Sequence, residues 1–182
     1  MQGDGLRRRH DALKLLLRKL LVWSGIPVIR EVINLIASCI PQEGLNRIEM
    51  GRKRQGLVPD FLIPAEEGGG SGILCKLKGM SASNTRYPIR RRLVDGTRTV
   101  DRRANGLTEE YTQKARETDW NHCGIARPPR VPLPGAAQHV RQIGPVETKL
   151  ISYGRVQGWV FGVWGEASED VHQRCRIVLG AW

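Results

Sequence analysis

No stretch of this chain is apolar for long enough to cross a bilayer, because Lys14, Arg18, Lys19, Arg30 and Glu31 interrupt its greasiest region. There is no C-x-x-C pair, no H-E-x-x-H and no serine in a G-x-S-x-G setting. The cysteines, Cys39, Cys75, Cys123 and Cys175, are scattered, and the adjacent His122 and Cys123 stand alone. Neither zinc ligation nor a disulfide framework has the spacing it needs, so reduced packing thiols are expected. His10, His122, His139 and His172 form no catalytic pattern, which removes zinc-protease and nucleophilic-hydrolase chemistry. The segment "GGGSG" lacks the G-x-x-x-x-G-K-[ST] pattern. It joins two expected strands with no helix to supply N-terminal amides, so it is not a phosphate loop. No internal repeat is visible.

What the chain has in excess is positive charge. Twenty-nine Lys and Arg against eighteen Asp and Glu leave a formal net charge of +11. Basic side chains displace counterions condensed on phosphates, so the surplus points to a polyanionic partner, nucleic acid with DNA favoured. The 40% hydrophobic content suits a folded chain, and 182 residues suit one domain with a real core. The opening "LRRRHDALKLLLRKLLVW" is basic and amphipathic, as a mitochondrial transit peptide also is. It contains no serine and leads directly into expected core strands, so mitochondrial targeting is the lesser alternative to an intracellular residence, nuclear favoured.

Local patterning sets an order of elements within a single domain, 1–182. Leucines at helical spacing predict an N-terminal helix over 6–24, ended by Gly25 and Pro27. A three-stranded meander is expected over 27–80, from "PVIREVINLI", "LVPDFLI" and "ILCKLKGM", with 37–55 irregular. Residues 81–106 read as a basic loop. A helix is expected over 108–120 with Thr108 as its N-cap, followed by a proline-rich loop over 124–144. The remainder, 145–182, reads as a helix opening at Pro145, an apolar strand around Trp159 and Trp164 that belongs to the core, and a terminal helix capped by Ser168. The fold class is therefore α/β, a mixed sheet whose first three strands meander and whose last is reached through a helical crossover.

One hairpin carries chemistry. Metal-assisted phosphodiester cleavage needs carboxylates to hold a divalent cation, and a cationic group to orient water and stabilise growing charge. Residues two apart on a strand share a face, so Asp60 on the second strand and positions 76 and 78 on the third converge. This order, with "PD" at Pro59-Asp60 and a closing lysine at Lys78, resembles the PD-(D/E)xK nuclease superfamily. More narrowly, it is similar to the restriction-like endonuclease domain of some non-LTR retroelement proteins, over His10 to about His172. The resemblance implies a restriction-endonuclease-like core, Mg or Mn held by Asp60 and Glu31, and Lys78 as the water-orienting catalytic residue.

The chain departs from that pattern at Lys76, where the family has Asp or Glu. An ammonium there puts positive charge where the cation should sit, a repulsion of roughly 1–4 kcal/mol per unit-charge pair. Glu66 and Glu67 are the nearest replacement acids, but they lie in the glycine-rich turn. The expectation is thus a degenerate endonuclease-like domain, with a catalytically inactive nucleic-acid-binding or assembly module, needing no metal, as the alternative. Asp60 has an ordinary reading as well, a turn aspartate after proline, and Lys76, Lys78 and Glu31 can each be solvent-facing strand residues. Arg90, Arg91 and Arg92 in the basic loop, and Lys114 and Arg116 on the following helix, are the candidate phosphate contacts beside their simpler role as solvated charge. The ending "VHQRCRIVLGAW" stops soon after its helix begins, which suits a piece of a longer polyprotein.

Overall fold

A computed structural model describes residues 3–30, 35–50, 57–65, 72–80, 92–128, 142–162 and 165–180. In chain order the elements are α1 (Gly3–Trp23), β1 (Ile29–Arg30), a 3-10 turn (Ala37–Cys39), α2 (Gln42–Met50), β2 (Phe61–Ile63), β3 (Ile73–Gly79), α3 (Arg92–His122), α4 (Pro145–Ser152), β4 (Gln157–Phe161) and α5 (Glu169–Gly180). The four strands form one mixed sheet in the order β1-β2-β3-β4. β1, β2 and β3 meander antiparallel, with Phe61 opposite Cys75, and β4 lies parallel to β3 with Lys78 opposite Val160. A parallel neighbour requires a crossover, and α3 and α4 provide it.

Strand alternation sorts the sheet's two faces. Phe61, Ile63, Cys75, Leu77 and Trp159 are buried with Leu21 of α1 and Val171 of α5. On the other face, Leu74 packs with Tyr111 and Ala115 of α3 and with Val146 and Leu150 of α4, while Val160 meets Val100, Ala104 and Leu107 of α3. Helices thus cover both faces of the sheet, the layered arrangement that hides a strand's apolar residues on each side.

Several sequence expectations are corrected here. The basic loop expected over 81–106 is helical from Arg92, in one 31-residue helix, and Thr108 is an interior residue rather than an N-cap. Val100, Ala104, Leu107, Tyr111 and Ala115 make a helical apolar stripe, but arginines, Gly96 and Gly106 dilute it. Thr108 Oγ1 instead donates to Val156 O at 2.7 Å, tying α3 to the entry of β4. The irregular stretch expected over 37–55 contains the 3-10 turn and α2. The first strand is seen only at Ile29–Arg30, and residues 31–34 lie outside the described ones.

Two aspartates of α3 cap the later helices from a distance. Asp119 accepts the N–H groups of Val146 and Glu147 at the start of α4, both at 2.9 Å. Asp101 accepts the Glu169 N–H at the start of α5, at 2.8 Å. Ser168, the expected cap of α5, turns its hydroxyl to β4 instead, donating to Gly158 O and accepting from Val160 N–H. α3 also approaches β4 closely: a Cβ on Gly158 would lie 2.6 Å from both Cα and O of Ala104. Backbone cannot swing aside as a side chain can, so Gly158→Ala should lose about 1–3 kcal/mol of stability, read from its urea midpoint. A midpoint equal to that of the parent would show that this helix–strand contact yields freely.

Candidate functional site

Asp60 stands at the entrance to β2, and its surroundings come from three elements. Its own N–H donates to Cys75 O at 2.9 Å, which fixes the backbone beside β3. Leu77 N–H lies beyond the last paired residues of β2 and β3, and the Asp60 carboxylate takes it at Oδ2, 2.9 Å away. A side-chain oxygen here replaces the missing ladder carbonyl. Buried backbone donors need such a partner.

Cations converge on the same carboxylate. Lys76 Nζ of β3 is 3.1 Å from Oδ2, Lys14 Nζ of α1 is 3.2 Å from Oδ1, and His10 Nε2 is 3.8 Å from Oδ2. Lys14 and Asp60 are almost wholly buried, with side chains 8% and 6% exposed, whereas Lys76 remains 30% exposed. Lys76 Nζ also donates to Val58 O at 3.3 Å, and Tyr111 of α3 donates its hydroxyl to that carbonyl at 2.7 Å. Burial pushes the Asp60 carboxyl up, but the Lys76 charge, the Leu77 N–H, the Lys76 hydrogen bond and the Lys14 charge outweigh it. The net result lies below the usual carboxylate value. Tyr111 is pushed strongly up by burial first and then by the negative charges of Asp60 and Glu110, so it stays a protonated donor.

These contacts bear directly on a metal. A divalent cation binds carboxylate oxygens at about 2.0–2.6 Å. Here each oxygen of Asp60 already has an ammonium beside it, and Oδ2 carries a backbone N–H as well. So partnered, Asp60 offers no open oxygen to Mg or Mn. Among the described residues, no group of three His, Cys, Asp or Glu is placed to hold a metal ion. Glu31, the second expected ligand, and Glu66 and Glu67 lie outside the described residues.

The remaining expected site residues separate. Lys78 follows Lys76 on the same face of β3 and is exposed, and Asp60's described ion pairs are with Lys14, Lys76 and His10 rather than with it. Lys114 is exposed on α3 with its Nζ 5.9 Å from the centre of the Tyr111 ring, next to the Val58 carbonyl cluster. Arg116 is engaged elsewhere, at 2.9 Å from the buried carboxylate of Glu147. Arg92 begins α3, while Arg90 and Arg91 lie outside the described residues. Sequence reasoning missed His10, Lys14 and Tyr111. The signal available was the i, i+4 spacing of His10 and Lys14 beside the inward stripe of Leu13, Leu17 and Leu21.

No protein family, curated protein or solved structure matches the chain.

Proposed function

We propose that the chain is a nucleic-acid-binding domain of restriction-endonuclease-like kind and retroelement descent, which binds DNA without cutting it. The observation that carries this reading is the neutralised Asp60 carboxylate, with Lys76 and Lys14 set against its two oxygens. A metal centre built on that acid would have to expel at least one ammonium, and the double charge of the cation would be repelled by the other. Support for the descent comes from the "PD" at the start of β2, the lysines on β3 and the α3 crossover to β4. Support for the partner comes from the charge of +11. Nuclear residence belongs to the same proposal. No described helix is long and apolar enough to cross a membrane.

The test incubates the protein with supercoiled plasmid and Mn²⁺, beside Asp60→Asn and Lys76→Glu variants. The parent should leave the plasmid intact while retarding it in a gel at low salt. Nicking by the parent that Asp60→Asn abolishes would overturn the non-cleaving reading. Nicking confined to Lys76→Glu would strengthen the descent, since one restored carboxylate would have rebuilt a centre. A protein that fails to retard the plasmid at any salt concentration is not a nucleic-acid-binding domain.

A further inference from the structure

The structure assigns Lys76 a role that the missing carboxylate would not have had. We infer that its Nζ takes the place of the divalent cation, as a fixed positive charge that binds a phosphodiester, so that backbone binding on this face needs no metal. The inference rests on the nucleic-acid reading above and specifies how that reading works at the former metal position.

The geometry supports it in three ways. First, Lys76 is held rather than waving. Asp60 Oδ2 at 3.1 Å and Val58 O at 3.3 Å engage two of its three N–H directions, and the side chain is still 30% exposed. A lysine already ordered by its protein partners loses less rotamer freedom when a phosphate arrives. Second, Asp60 is shared between two cations. Buried Lys14 lies 3.2 Å from its Oδ1 while Lys76 lies 3.1 Å from its Oδ2, so the carboxylate is not given over to Lys76 alone. Third, Lys76 has cationic neighbours on its own face. Lys78 is exposed two residues along β3, roughly 6–7 Å away in the strand direction. Lys114 is exposed beside Tyr111, whose hydroxyl shares the Val58 carbonyl with Lys76. The nearby acid Glu110 is occupied by Arg103 at 2.6 Å, and its carboxyl is held below the usual range by that hydrogen bond and further by Lys114 and Lys78. Lysine ammoniums suit this task, as compact point charges that donate to phosphate oxygens from several directions.

The experiment measures anisotropy of a fluorescein-labelled DNA duplex across a salt series, once in EDTA and once in Mg²⁺. Parent protein should bind at least as tightly in EDTA, because free Mg²⁺ only competes for phosphates. Lys76→Gln, Lys78→Ala and Lys114→Ala should each lower the slope of log K against log salt by about 0.9 per phosphate contact removed. Lys76→Arg should keep the parent slope, and Lys19→Ala, an exposed charge removed from α1, should leave it unchanged. Thermal melts check each fold. Should Lys76→Gln not fold, the Lys78 and Lys114 variants still decide the matter against Lys19→Ala. Binding that requires Mg²⁺, or slopes that Lys78→Ala and Lys114→Ala move no more than Lys19→Ala does, overturns this inference while leaving DNA binding in place. Absence of salt-dependent binding under every condition overturns the functional reading itself.

Discussion

Asp60→Ala should destabilise the protein by about 3–5 kcal/mol, the range for leaving one member of a buried ion pair without its partner. The loss has two sources. Lys14, with its side chain 8% exposed, would lose the Oδ1 that lies 3.2 Å from its Nζ. Leu77 N–H would lose its acceptor at the end of the β2–β3 ladder. Urea unfolding of the variant measures the sum, and a change below about 1 kcal/mol, ordinary for a surface substitution, would show that the cluster contributes little. Adding Lys14→Met should recover part of the loss, since an apolar side chain of similar length suits the same buried space. The cluster also sets a pH dependence. Asp60 titrates below its ordinary value in the folded protein, so its contribution is complete above about pH 3.8 and is lost as pH falls through the lower folded value. Asp60→Asn should therefore flatten the acid limb of the stability profile below about pH 3.8.

The same cluster shows where sequence reading succeeded and where it stopped. Alternation and turn chemistry identify the hairpin, and strand parity sets position 60 facing position 76, though the expected convergence with position 78 is not among Asp60's described ion pairs. The parity of a strand fixes which side chains share a face, and Lys76 does reach Asp60. What no pattern on the hairpin could supply was the third dimension. Lys14 and His10 arrive from α1, at the other end of the sequence, and Tyr111 arrives from α3. Their convergence depends on how helices pack on the two faces of the sheet. The first half of α3 was hidden for a different reason. Its buried positions are small or β-branched residues spaced by arginine and aspartate, so composition resembles a solvated loop while the period is helical. Ser168 illustrates a local rule overridden by tertiary contact: a good capping residue spends its hydroxyl on β4, and Asp101 from α3 serves the helix instead.

Asp119→Ala should be comparably severe, at about 2–6 kcal/mol, although nothing in its sequence setting distinguishes it from a solvated helical acid. Its carboxylate spans the first turn of α4, one oxygen on Val146 N–H and the other on Glu147 N–H, and the residue is 1% exposed. Two donors left without acceptors in a buried place cost about 1–3 kcal/mol each. The negative charge also complements the positive end of the α4 dipole. Gly144, at the N-cap position, has no side chain to take over, and a Cβ there would strike the Asp119 carboxylate itself. α4 in turn carries Val146 and Leu150 into the core beside Leu74 and Tyr111. Loosening its start should therefore reach the helix that lines the Asp60 cluster. Asp119→Asn separates capping from packing, because it preserves the shape but offers one acceptor and turns an amide N–H₂ toward the other donor. It should fall between the parent and Asp119→Ala in urea midpoint, with faster hydrogen exchange at Val146 and Glu147. An asparagine variant as stable as the parent would mean that the carboxylate fills space rather than capping α4. The order of these helices in the chain would then owe more to apolar packing than to the aspartates α3 extends toward them.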